Sequence, residues 1–265
     1  PRSAPTVTYG AAPTFNTGAT VGATATSVAN FTADISGGQN DGTGGAESAS
    51  VSCSVTSGPF QLGAGTASAT NVVAPAAAGN DINVALTCTT PANTAAAGVL
   101  TCNYTPTVDG VAGAAVPTTS DLSCPPAPVS LASNPAPGPI TLTGVPGSTL
   151  SGTIGFTNSG SDATLACTAT AGTANVAITS NPAAVAANGS AQLAYTCTAG
   201  SPGANLTGSI QCTSNDPDNF ASVTYAITCS GLANAPIPAI NDFGKVLMVV
   251  LVIGLGLVGL GARRQ

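Results

Sequence analysis

The chain has 265 residues, of which 43% are hydrophobic, 4% aromatic and 5% charged, with a formal net charge of −6, no His and no Trp. Phosphate contacts need clustered Lys and Arg, and Arg2 is the one basic residue outside the C-terminal tail, so nucleic acid is excluded as a partner. Without His the usual general base, the Ser-His-Asp arrangement and Cys/His zinc sites are absent, and the chain reads as non-enzymatic, with no cofactor and no metal.

The length suits two domains of about 100 residues and a tail. The first residue is Pro1 rather than Met, as expected after removal of an export signal. Residues 1–10 hold one short strand, Thr6-Val7-Thr8-Tyr9, with prolines around it. Residues 25–35 and 48–55 alternate apolar and polar positions, the period of a half-buried strand. Between them residues 36–47 are Gly-rich around Asn40-Asp41-Gly42, a loop or hairpin tip. Further strands are expected at 82–89, 99–105 and 118–123. Cys124-Pro125-Pro126-Ala127-Pro128 is a stiff, extended joint, and the boundary between a first unit (1–125) and a second (126–231) is placed there.

In the second unit strands are expected at 129–132, 140–143, 151–157, 163–170, 176–179, 190–198, 206–213 and 222–230. Turn chemistry separates them at Asn158-Ser159-Gly160, Asn188-Gly189 and Asn215-Asp216-Pro217-Asp218-Asn219. Many short strands at this spacing predict an antiparallel sandwich.

Eight cysteines and no C-x-x-C pair read as disulfides in an exported chain rather than as zinc or redox chemistry. Their contexts repeat. Val51-Ser52-Cys53-Ser54 parallels Leu165-Ala166-Cys167-Thr168, and Ala85-Leu86-Thr87-Cys88-Thr89 parallels Ala194-Tyr195-Thr196-Cys197-Thr198. Val99-Leu100-Thr101-Cys102 parallels Ser209-Ile210-Gln211-Cys212, and Asp121-Leu122-Ser123-Cys124 parallels Ala226-Ile227-Thr228-Cys229. Four cysteines in the same order and strand context, twice, indicate a duplication. Three connectivities per unit are possible. An up-and-down strand count puts Cys167 and Cys212 at one end of the sandwich on neighbouring strands, and Cys197 and Cys229 at the other end. The expected pairs are Cys167–Cys212 and Cys197–Cys229, and by repetition Cys53–Cys102 and Cys88–Cys124. Residues 129–231 also resemble the immunoglobulin-like repeats of the ASPM/SPD-2/Hydin type in bacterial surface proteins, through Phe156-Thr157-Asn158-Ser159-Gly160 and Ser214-Asn215-Asp216-Pro217-Asp218. The extra cysteines depart from that pattern, and the first unit lacks both motifs.

Two weaker signals are present. Asp216 with Asp218, or Asp34, Asp41 and Glu47, could offer oxygens to calcium, but neither set has EF-hand spacing, and Asp and Asn ordinarily cap turn backbones. Asn30, Asn103, Asn188 and Asn205 fit N-x-[ST], a frequency that chance also supplies in a Ser/Thr-rich chain. A Ser-Lys dyad or a Lys–Asn cross-link would need Lys245, the only lysine, which sits in the tail.

After a linker at 232–240 comes the tail, 241–265. Val246 to Ala262 is an unbroken apolar run ending in Arg263 and Arg264. At ~1.5 Å per residue a helix from Phe243 to Ala262 covers about 30 Å, one bilayer core. Asn241 can cap it, Asp242 suits its positive N-terminus and Pro238 lies just upstream. The arginines are a stop signal of the positive-inside kind. Gly254, Gly256, Gly259 and Gly261 allow close backbone approach, in lipid or in a bundle of copies. The preceding Ile237-Pro238-Ala239-Ile240-Asn241-Asp242-Phe243-Gly244 resembles the I-P-T-L-S-E-W-G signature of the IPTL-CTERM tails of bacterial surface proteins. Ile237, Pro238 and Gly244 match outright, Ile240, Asp242 and Phe243 are similar in kind, and Ala239 and Asn241 depart. The resemblance implies export to the envelope of a Gram-negative bacterium.

The expectation is therefore two tandem immunoglobulin-like antiparallel β-sandwiches, stapled by disulfides and followed by one apolar helix. The sparsely charged surface suits crowding, since little charge is desolvated at contacts. The leading reading is a subunit of an extracellular filament or surface layer, its partners being copies of itself through the tail helix and the membrane before assembly. Strand donation by residues 1–10 is a further route. The alternative is a monomeric membrane-anchored surface protein or adhesin.

Overall fold

A computed structural model of the chain describes residues 4–34, 47–56, 58–63, 67–70 and 80–233. Small apolar residues alternating with Thr, Ser and Asn build strands throughout. β6 shows the rule: Ile82, Val84, Leu86 and Cys88 are buried, while Asp81, Asn83 and Ala85 face outward. A two-residue period puts alternate side chains on opposite faces, so one face goes to the core.

The first unit contains β1 (Thr6–Tyr9), β2 (Thr24–Asp34), β3 (Ser48–Thr56), β4 (Phe60–Leu62), β5 (Ala67–Thr70), β6 (Asp81–Thr89), β7 (Ala96–Val108), β8 (Val111–Ala112) and β9 (Val116–Cys124). One sheet runs β1-β2-β6-β4, and the other runs β5-β3-β7 with β8 and β9 both paired to β7. The second unit contains β10 (Leu131–Asn134), β11 (Pro139–Gly144), β12 (Thr149–Asn158), β13 (Ala163–Thr170), β14 (Ala177–Ser180), β15 (Ala184–Val185), β16 (Ser190–Thr198), β17 (Asn205–Ser214) and β18 (Ser222–Gly231). Its sheets run β10-β12-β16-β14 and β11-β18-β17-β13-β15. This is the A-B-E-D and G-F-C strand order of an immunoglobulin-like sandwich, and the first unit repeats that seven-strand order, without a counterpart of β11 and with β8 added.

The all-β, mainly antiparallel architecture is as the patterning predicts. Three points differ. β11 pairs with β18 in parallel, Ile140 opposite Ile227, so the second sandwich is not wholly antiparallel. The cause is a strand switch: the chain leaves one sheet after Asn134, turns at Gly138 (φ 148°) and joins the other sheet alongside the last strand. The short strands β4, β5, β8 and β15 are too brief for a periodic signal. No helix occurs among the described residues, and none there is long and apolar enough to cross a membrane. The sequence-expected tail helix lies outside them.

Each unit has its own core. The first gathers Phe31, Ile82, Leu86, Leu100 and Leu122; the second gathers Phe156, Leu193, Tyr195, Ile210 and Tyr225. Ala and Cys fill much of the remaining volume, and such small side chains contribute little at roughly 25 cal/mol per Å². Disulfides offset that. With sequence separations of 49, 36, 45 and 32, loop closure alone is worth roughly 4 kcal/mol per bridge.

Candidate functional site

Three features of the described residues could serve a function: the disulfide framework, the joint between units and one concave sheet face. Each unit carries one bridge within a sheet and one between sheets. Cys53 lies directly opposite Cys102 on β3 and β7, Cα atoms 4.0 Å apart, and Cys167 opposite Cys212 on β13 and β17, 4.1 Å apart. Cys88 on β6 reaches Cys124 on β9, and Cys197 on β16 reaches Cys229 on β18, with Cα separations of 6.3 and 6.5 Å. The intersheet bridges hold the strand by which the chain leaves each unit. Cys124 immediately precedes the proline linker, and Cys229 lies near the end of the last strand before the tail.

The joint is a hydrogen-bonded clasp. Asn93, in the loop between β6 and β7, adopts φ 63°, a left-handed conformation that Asn tolerates. Its Nδ2 donates to Asp162 Oδ2 at 2.8 Å, and Asp162 N donates back to Asn93 Oδ1 at 2.7 Å. Asn93 N donates to Ser161 Oγ at 3.0 Å, and Val21 N to Ser159 O at 3.0 Å. The linker is gripped from both sides. Ala127 N donates to Pro91 O of the first unit, while Ala127 O accepts from Ser161 Oγ of the second. Ala127 is buried. Asn158 orders the turn that makes these contacts. Its Oδ1 accepts from Gly160 N, and its Nδ2 donates to Ser161 O and Val185 O. Gly160 has to be glycine, because a Cβ there would stand 1.8 Å from Pro128 O.

The concave face lies on β10, β12 and β16. Register places Asn134, Gly155 and Gln192 in one row across the three strands, and Ala132, Thr157 and Ser190 in the next. The hollow measures about 670 Å³ and runs into a second of about 440 Å³ beside Asn188.

The residues singled out in the sequence fall as follows. Asp216 is fully buried, and its oxygens are committed to backbone: Oδ2 accepts from Leu131 N at 2.8 Å, Oδ1 from Asp218 N and Asn219 N at 3.0 and 3.2 Å. It fastens β10 to the β17–β18 turn. Asp34 and Glu47 flank residues 35–46, which lie outside the described set together with Asp41. Among the described residues no three acidic or cysteine side chains form a metal-sized group. Asn30, Asn103, Asn188 and Asn205 are all exposed. The signature residues Ile237, Pro238, Asp242, Phe243 and Gly244 and the glycines Gly254, Gly256, Gly259 and Gly261 lie outside the described residues. Strand patterning did not single out Asn93, Ser161, Asp162, Asn134 or Gln192. An Asn or Asp beside a turn looks the same in sequence whether it caps its own loop or reaches another unit.

The fold and its bridges define a class: a tandem of disulfide-stapled immunoglobulin-like sandwiches. No family model matches the chain, and no curated protein matches it. Among solved structures it is similar to the CupB6 tip adhesin from Pseudomonas aeruginosa, at 12% identity over 89% of this chain and 100% of that one, with a TM-score of 0.38. A protein of unknown function from Porphyromonas gingivalis W83 is similar at 12% identity, over 85% and 99% of the two chains, with a TM-score of 0.33. The enterotoxigenic E. coli adhesin CfaE is similar at 9% identity, over 88% of each, with a TM-score of 0.31. At these identities and scores none of the three decides what this chain does.

Proposed function

We propose that the protein is a non-enzymatic structural protein of the bacterial cell surface. In this reading it is exported through an inner-membrane stage and is a subunit of an extracellular filament or layer, assembled by packing of its apolar tail. The observation that carries the reading is the Cys197–Cys229 bridge. A tail that holds a subunit in an assembly passes tension into β18, and a ladder of backbone hydrogen bonds can peel one by one. The bridge puts that tension on a covalent bond to the opposite sheet. Cys88–Cys124 does the same at the linker. Four disulfides also fit an oxidising, exported setting.

Strand donation by residues 1–10 would work by exchange. β1 pairs with β2 of its own chain, Thr6 opposite Asp34 through Tyr9 opposite Phe31, so a neighbour's β1 would replace a short existing ladder.

The test compares full-length material released from cells with the chain ending at residue 233, by electron microscopy and analytical ultracentrifugation. The expected outcome is ordered fibres or sheets for the former and folded monomers for the latter. Single particles on membrane fragments in both the native and the purified state would reject assembly and favour the anchored-adhesin alternative.

A further inference from the structure

We propose that the outer face of β10, β12 and β16 binds a neutral glycan. Whether the chain polymerises does not enter this inference, which rests on one cross-strand row. Asn134, Gly155 and Gln192 are in register. Neighbouring strands lie ~4.8 Å apart, so the two amides stand about 10 Å apart across a residue with no side chain. The floor of the hollow is therefore bare backbone, and its two walls are amides. The adjoining row adds the hydroxyls of Thr157 and Ser190. A volume of about 670 Å³ falls within the range of small-ligand sites.

The amides of the second unit divide into two groups. Asn158, Asn181, Asn205, Gln211 and Asn215 use their side chains in hydrogen bonds that hold turns or strands together. Asn134, Gln192, Asn188, Asn175 and Asn219 are exposed, and their side chains make no hydrogen bond among the described residues. Three of these five, Asn134, Gln192 and Asn188, line the hollow and its continuation.

The lining selects the ligand class. No lining residue is charged, and residues 126–231 contain no Lys, Arg or His, so an anionic polymer finds no counter-charge. A cation finds no carboxylate in the lining. An apolar ligand finds no aromatic platform, since Phe156 is fully buried. A carboxamide offers both a donor and an acceptor, as does a hydroxyl, and a neutral sugar presents hydroxyls that do the same. Without ring stacking each site is weak, and a display of many copies raises the avidity for a polysaccharide. The matching face of the first unit also has two exposed amides opposite each other, Asn30 and Asn83, but there Asp81 adds a carboxylate, which accepts from Thr32 Oγ1.

The test is ligand-observed saturation-transfer NMR on the detergent-solubilised full-length chain with cello-, malto-, xylo- and chito-oligosaccharides of about six sugars. Polygalacturonate serves as the charged comparison. At least one neutral oligosaccharide is expected to bind. Asn134→Ala with Gln192→Ala should weaken it at least tenfold, and Gln211→Ala, on the opposite sheet, should leave it unchanged. Gly155→Leu is a second, independent probe. Its Cβ would meet only Asn134 O, at 3.6 Å, so the side chain enters the hollow without displacing backbone and should abolish binding. Circular dichroism checks that each variant is folded. The proposal is overturned if no neutral oligosaccharide binds, if only the anionic polymer binds, or if binding survives both the amide pair and Gly155→Leu.

Discussion

Asp216 shows how one side chain can decide a turn. It is a buried carboxylate with no basic residue near it in sequence, and three backbone N–H groups make its burial tolerable. Hydrogen bonds to a charged acceptor are worth ~1.5–3 kcal/mol, and donors left unpaired in the interior add their desolvation cost. Asp216→Ala is expected to destabilise the second unit by about 3 kcal/mol, read from the midpoint of urea unfolding. A change under about 1 kcal/mol would mean that water replaces the carboxylate freely. The sequence motif Asn215-Asp216-Pro217-Asp218-Asn219 marked a turn with Asp in a capping role, and that much was legible. The bond to Leu131, 85 positions away, was not, because a capping side chain and a strand clamp have the same local sequence.

Between elements, the telling feature is the clasp of Asn93 on Asp162. A proline-rich linker by itself reads as a semi-rigid spacer. Here the linker is bonded to the loop before it and to the turn after it, and Ala127 is buried between them. An exposed hydrogen bond adds little net stability, ~0.5–1.5 kcal/mol at most, because water competes for both partners. The clasp's effect is geometric, since two reciprocal bonds fix an angle. Asn93→Ala should therefore leave the melting temperature almost unchanged and loosen the angle between the units. Residual dipolar couplings fitted to each sandwich test this. One alignment tensor is expected for the parent chain and two for the variant; two tensors for the parent would show that the clasp does not hold in solution.

For the molecule as a whole, the scarcity of titrating groups sets the pH response. There is no His to change charge between pH 5 and 8. Burial pushes the phenols of Tyr195 and Tyr225 above their ordinary value of 10.0, and for Tyr225 the Ser133 hydroxyl, which can hydrogen-bond the phenolate, pulls partly the other way. The folded state keeps these protons at a pH where the unfolded chain has lost them. Above about pH 10 the unfolded state binds fewer protons, so stability falls as pH rises. The loss should appear in the second unit, where both rings lie in the core. Calorimetry from neutral pH to above pH 10 is expected to show the second unit's transition moving down, and Tyr225→Phe should blunt the shift. An unchanged second transition would contradict this assignment.

Strand period, turn residues and the repeated cysteine contexts were enough, in the sequence alone, to establish an all-β duplication, because alternation and turn chemistry are local properties of a chain. An up-and-down strand count also led to the expected bridge partners, and antiparallel neighbours such as β13 and β17 bring Cys167 and Cys212 into register. The parallel β11–β18 pair, the grip of Asn93 on Asp162 and the row of Asn134, Gly155 and Gln192 were decided only in three dimensions. Each depends on which segments become neighbours, and residues 20 to 90 positions apart leave no periodic trace of that in a single sequence.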